Sequence, residues 1–179
     1  MRPDSEVSAV SSGAGLGSFT GVDVETSGLS AADHRVLSVA ALALDSDGVV
    51  VREFHTIVDS GCDPGPVHIH GLTRELLSGA PRFENIEAEL TQLLASRVMV
   101  AHNAGFDCGF LAGEYGRIGA SMPVGNRLCT LALARHVALP VPDCRLATLA
   151  TYYGIGQQRA HDALDDARVL AADLQCLIA

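Results

Sequence analysis

Two carboxylates open the case for chemistry. In Val22-Asp23-Val24-Glu25-Thr26-Ser27-Gly28-Leu29 they alternate with valines, and in an extended strand residues two apart share a face. Asp23 and Glu25 therefore project together, about 7 Å apart along the backbone, while Val22 and Val24 face the opposite layer. Two such acids repel unless a cation lies between them, and a hard divalent ion with oxygen ligands meets that need. By itself the segment reads equally well as a solvated edge strand with two surface acids.

A second segment, Val100-Ala101-His102-Asn103-Ala104-Gly105-Phe106-Asp107, reads as a strand end passing into a helix, where polar groups gather in α/β proteins. On that helix Asp107 falls in line with Phe110, Leu111 and Glu114, so its carboxylate should turn toward the sheet. A buried acid there demands a partner. The plainer alternatives are a first-turn acid serving the helix dipole and, for Asn103, a helix cap. The third segment runs His161-Asp162-Ala163-Leu164-Asp165-Asp166-Ala167-Arg168-Val169-Leu170. Ala163, Ala167, Leu170, Leu174 and Leu177 recur at 4-3-4-3 spacing and define a buried stripe. Asp166 falls roughly 60° from its centre, whereas Asp165 lies nearly opposite and should be solvated. Periodicity thus selects Asp166 as the chemical acid. His161 can overhang the start of this helix, or serve as a surface or capping residue. No segment decides alone; their combination does.

Positioning these groups takes a sheet with helices against it. Phe19 to Glu25, Arg35 to Asp45 and Val49 to Val58 read as strands, and Ser46-Asp47-Gly48 marks a hairpin between the last two. The first third should be a three-stranded antiparallel meander. Residues 59 to 66, with Gly61, Pro64, Gly65 and Pro66, read as a loop, and Thr73 to Leu77 as a short helix capped by Thr73. Phe83 to Ala95 places Phe83, Ile86, Leu90, Leu93 and Leu94 at helical spacing. A strand at Val98–Ala101, a helix from about Phe106 to Ile118 and a strand at Arg127–Thr130 follow. Helices are expected near Leu131–Val137, Leu146–Tyr153 and Asp162–Leu177. Such an order implies an α/β fold, a mixed sheet covered by helices. Residues 1–18 are Ser/Gly-rich and read as a disordered tail, leaving 19–179 as one domain.

Composition excludes several classes. The 179 residues are 48% hydrophobic and 18% charged, as in a globular domain with a real core. Apolar runs of about 18 residues and a secretory signal are both missing, so the expected place is the cytoplasm, with no membrane. The five cysteines are odd in number and form no C-x-x-C, which argues against disulfides and a zinc site and for reduced, mostly buried thiols. Net charge is −9, and all twelve basic residues are arginine. That speaks against a broad basic groove for nucleic acid, but not against a substrate held through bound cations.

D-x-E, H-N-x-x-F-D and H-x-x-x-x-D, in this order, resemble the motifs of DEDDh-type 3′→5′ exonucleases. Within that superfamily the chain is most similar to the epsilon (proofreading) subunits of bacterial DNA polymerase III, from about Phe19 to Leu177. His70-Gly71-Leu72-Thr73, Cys129-Thr130-Leu131 and Arg145-Leu146-Ala147-Thr148-Leu149-Ala150 add to the resemblance. It implies an RNase H-like fold: a five-stranded mixed sheet, its first three strands antiparallel, flanked by helices. It further implies that Asp23, Glu25, Asp107 and Asp166 ligate two Mg²⁺ or Mn²⁺ ions, and that His161 is the base for the attacking water. Thr26, Ser27, Gly28 and Leu29 would surround the terminal nucleotide, Leu29 as a wedge, with Phe106 against the same nucleotide. His70, His102 and Asn103 would line the pocket. The implied partners are single-stranded 3′ ends, DNA favoured over RNA, and a DNA polymerase. The chain ends about one turn after the third motif's helix, without the tethering segment of longer relatives, so stand-alone action, or truncation of a longer chain, is an equal expectation. The alternatives are an RNA-trimming member, oligoribonuclease- or RNase T-like, and a non-catalytic binding relative, although all five chemical residues are present.

Overall fold

The computed structural model describes residues 18–178. Its sheet has five strands: β1 (Phe19–Thr26), β2 (Val36–Leu44), β3 (Val50–Ile57), β4 (Val98–Ala101) and β5 (Asn126–Cys129). They lie in the order β3-β2-β1-β4-β5. The pairs β1–β2 and β2–β3 are antiparallel, while β1–β4 and β4–β5 are parallel. The helices are α1 (Val67–His70), α2 (Arg74–Leu77), α3 (Phe83–Leu94), α4 (Ala104–Arg117), α5 (Thr130–Val137), α6 (Leu146–Tyr153) and α7 (Ala163–Ile178). This is the expected mixed sheet flanked by helices. The expected tail over residues 1–18 falls, apart from Ser18, outside the described residues.

Alternation within the strands divides the core in two. Val22, Val24, Val39 and Ala41 pack with Leu90 and Leu93 of α3 and Phe110, Leu111 and Tyr115 of α4. Ala40, Leu42, Leu44 and Val100 pack on the other face with Ala167, Leu170 and Leu174 of α7. All nine residues of β2 are buried, because both faces are covered. Asp23 and Glu25 leave β1 on the α7 side, out of phase with Val22 and Val24. The motif acids thus gather where β1 and β4, running parallel, both end.

Two expectations need correction. Helix α1 falls in a stretch for which the sequence predicts no element; four residues between Pro66 and the left-handed Gly71 (φ 74°) are too few to show a period. The cysteines are free, as expected, but not buried: four are half-buried and Cys176 is exposed. Among the described residues no helix is long and apolar enough to cross a membrane.

One polar group in α7 has no visible task. Asp173 is fully buried, and both its carboxylate oxygens lack a hydrogen-bond partner among the described residues. Burial alone pushes its pKa up to about 6. Below about pH 4 the folded and unfolded chains both carry the proton and nothing is lost. As pH rises from there to about 6, the unfolded chain ionises first and stability falls; above that the penalty is complete. Asp173→Asn should therefore match the wild type near pH 4 and exceed its stability by about 3 kcal/mol at pH 8. Denaturant unfolding of both proteins across this range checks it, and a pH-independent difference would contradict it.

Candidate active site

The strand β1 ends in a register shift between Glu25 and Thr26, which turns the chain sharply into Ser27-Gly28-Leu29. Close packing then fixes the turn. A Cβ on Gly28 would lie 2.5 Å from the His34 ring, and one on Gly65 (φ +71°) would strike the Ser27 carbonyl. The Thr26 hydroxyl donates to the Gly28 carbonyl at 2.7 Å. The Ser27 N–H donates to the Arg35 carbonyl, and the Arg35 N–H donates back to the Ser27 hydroxyl, both at 3.0 Å. Arg35 in turn grips the fully buried Glu114 of α4 through two bonds of 2.8 Å. A buried charge paired in this two-pronged way ties the turn to the helix that carries Asp107.

A cavity of about 540 Å³ opens beside this turn. Asp23, Glu25, Asp107, Asp166 and His161 line it, together with Thr26, Gly28, Leu29, His70, His102 and Phe106. Of the residues singled out from sequence, the cavity wall lacks Ser27 and Asn103. Ser27 is buried beneath the turn with its hydroxyl used by Arg35. Asn103 stands at the start of α4 with φ 68°, exposed, and makes no side-chain cap bond. Asparagine tolerates that left-handed conformation, and the residue serves there as a bend in the chain, neither capping the helix nor lining the cavity.

The acids are crowded and poorly solvated. Burial pushes Glu25 up to about 7, with Asp166, Asp162 and Asp107 adding to the rise. Asp23 is driven well above the usual carboxylate range by burial first, then by Asp107, Asp166, Glu25 and Asp162. Burial also raises Asp107 to about 7, against the backbone amides of its own turn and of Val24. Asp166 is raised by burial and restrained by donors: Gln157 Nε2 at 2.6 Å and the His161 backbone N–H at 2.9 Å. Four neighbouring acids, each held above the usual carboxylate range, form a site short of positive charge. One ligand atom each from Glu25, His161 and Asp166 lie within 4.8 Å of one another. The donor set, carboxylate oxygens with one imidazole, fits hard divalent cations.

His161 sits at φ 63°, a costly backbone conformation for a residue with a Cβ. It is exposed, and its N–H reaches Asp166 from the turn preceding α7. Asp165 lies off the buried stripe, as its helical position suggests, half-buried where Asp166 is buried, but it also has a local task. Its Oδ2 accepts the backbone N–H groups of Gln158 and Arg159 at 2.7 and 2.6 Å, because the preceding loop folds back over the helix start. Both nitrogens of His70 are committed within its own loop: Nδ1 accepts from the Leu72 N–H and Nε2 meets the Pro64 carbonyl. It therefore lines the cavity with neither ring nitrogen free. Phe106 is half-buried against Phe110, ring centroids 4.8 Å apart.

Sequence reasoning missed Val24, Pro66 and Ile69 in the cavity wall, and Gln157 on Asp166. Ile69 is 48% exposed, but its apolar character could not stand out without α1. Gln157 lies in an irregular loop, where no pattern marks it.

Comparison with known proteins shows the family. An exonuclease family model (RNase_T) matches residues 20–174. The chain belongs to the exonuclease family. The DNA polymerase III epsilon subunit of Treponema pallidum is 35% identical over 156 residues, covering 84% of this exonuclease and 72% of that protein. A PolC-type DNA polymerase III of Clostridium perfringens is 29% identical over 157 residues, 86% of this chain but 11% of the polymerase. Escherichia coli exonuclease I in complex with a dT13 oligonucleotide superposes with a TM-score of 0.81 at 21% identity, over 90% of this chain and 41% of that one. That likeness bears out the RNase H-like fold. The expected enzyme class, a 3′→5′ exonuclease, holds with the family.

Proposed function

We propose that this exonuclease removes 5′-mononucleotides one at a time from single-stranded DNA 3′ ends, with Asp23, Glu25, Asp107 and Asp166 holding two Mg²⁺ or Mn²⁺ ions. The observation that carries the reading is the convergence of four charge-starved carboxylates and His161 in one cavity with an apolar rim. When bound, two divalent cations offset the carboxylate charge and stabilise the charge growing on the attacking and leaving oxygens. The chain's own groups do the rest. His161, exposed at the cavity, takes the proton of the attacking water. Leu29, 89% exposed at the tip of its turn, packs against the terminal base with Phe106 and Ile69. Such apolar contact is tolerant of sequence. Likeness to the epsilon subunit favours DNA as substrate and a DNA polymerase as partner.

Matched DNA and RNA oligomers, each incubated with Mn²⁺ and with EDTA, test the substrate. Mononucleotides should appear only with Mn²⁺, and faster from DNA. Faster release from RNA would reassign the enzyme to RNA trimming, and release in EDTA would overturn the metal reading.

A further inference from the structure

Two of the four acids, Asp23 and Asp166, also line a second cavity, and it has a different character. It also measures about 540 Å³ and shares Asp23, His102, His161 and Asp166 with the first. Where the first is walled by Leu29, Ile69 and Phe106, the second carries two guanidinium groups, Arg135 and Arg145. Arg135 stands exposed in the last turn of α5. Among the described residues its side chain enters no ion pair, as is also true of Arg82, Arg97 and Arg127, but of these four it alone lines a cavity at the acids. Its charge reaches the partition between the cavities: after burial, Arg135 is what lowers the pKa of His102. Arg145 is tethered loosely, 3.8 Å from Asp143, with its side chain 84% exposed. In a chain of net charge −9, an arginine that serves no ion pair and faces the active site calls for an anionic ligand.

We infer that the second cavity receives the retained strand, the nucleotide on the 5′ side of the scissile bond, and that Arg135 holds its backbone phosphate with Arg145 at the rim. This rests on the exonuclease reading. A phosphodiester has a sugar on either side. With the released nucleotide in the apolar cavity and its phosphate at the acids, the leaving 3′-oxygen and the strand behind it must depart on the other side. The second cavity adjoins the first at Asp23, His161 and Asp166 without reaching Leu29, Ile69 or Phe106, and of the two cavities it alone is lined by guanidinium groups. Guanidinium is the side chain best shaped for phosphate oxygens. Arg135 is thus a positioning residue for the strand and touches no reacting atom.

Steady-state kinetics on a thymidylate tetranucleotide with Mn²⁺ tests this. Arg135→Met should raise KM roughly fivefold, leave kcat within about twofold, and flatten the dependence of log KM on log salt by about one phosphate contact. Product inhibition by thymidine 5′-monophosphate, which fills the first cavity alone, should be unchanged, and Arg135→Lys should recover part of the loss. An unchanged KM and salt slope would overturn the assignment. So would an equal weakening of monophosphate inhibition, since the defect would then lie in the first cavity. A wild-type protein that releases no mononucleotide would instead sink the exonuclease reading, and this inference with it.

Discussion

Replacing Asp166 with asparagine should lower mononucleotide release at least about a hundredfold, or roughly 2.7 kcal/mol of barrier, while the fold survives. The substitution keeps the shape and removes the charge that a divalent cation needs. Local bonds can adjust: Gln157 can turn its own amide to meet the new one, and the His161 N–H still has a side-chain oxygen within reach. The neighbouring Asp165→Asn is the control. Asp165 uses one oxygen to accept both Gln158 and Arg159 amides, and an amide oxygen can do the same. Its loss should be small, about threefold or less. Rates of both variants on one labelled oligonucleotide, with melting temperatures alongside, measure the contrast. An active D166N beside a dead D165N would overturn the assignment of the chemical acid.

His161→Ala should slow the chemical step by about 10²-fold or more, the usual worth of a positioned base. The bond from this residue to Asp166 is made by the backbone N–H, which alanine keeps. Calorimetric Mn²⁺ affinity should therefore be largely preserved. The geometry sets up a sharp alternative, because a ring nitrogen of His161 lies within 4.8 Å of ligand atoms of Glu25 and Asp166. If the imidazole were a ligand, Mn²⁺ affinity would fall together with rate. Near-normal turnover would remove the histidine from the mechanism and leave it a turn residue.

Much of this site is legible because its residues belong to regular elements. The i, i+2 spacing of Asp23 and Glu25 survives intact in β1, and the stripe of α7 turns Asp166 inward. Asp107 follows from sharing a face with Phe110 and Leu111, all three buried in α4. What escapes depends on irregular backbone. Helical angle separates Asp165 from Asp166 but says nothing of the loop that returns over the helix start to bond it. Asn103 departs from its expected place through its left-handed backbone, and Ile69 is hidden in a four-residue helix. Gln157 and Arg135 matter through groups that lie beyond their own element or across a cavity. No local periodicity encodes such contacts.

The central claim is that one terminal nucleotide enters an apolar-rimmed cavity and is cut off at the acids. Its most direct test is digestion of two single strands of the same DNA sequence, one linear and 5′-labelled, one closed into a circle, with Mn²⁺. The account predicts a ladder shortening stepwise from the 3′ end of the linear strand, poor cutting when that end carries a 3′-phosphate, and an intact circle. Cleavage of the circle at a rate comparable to the linear strand would show that no free end is required, and would contradict the account.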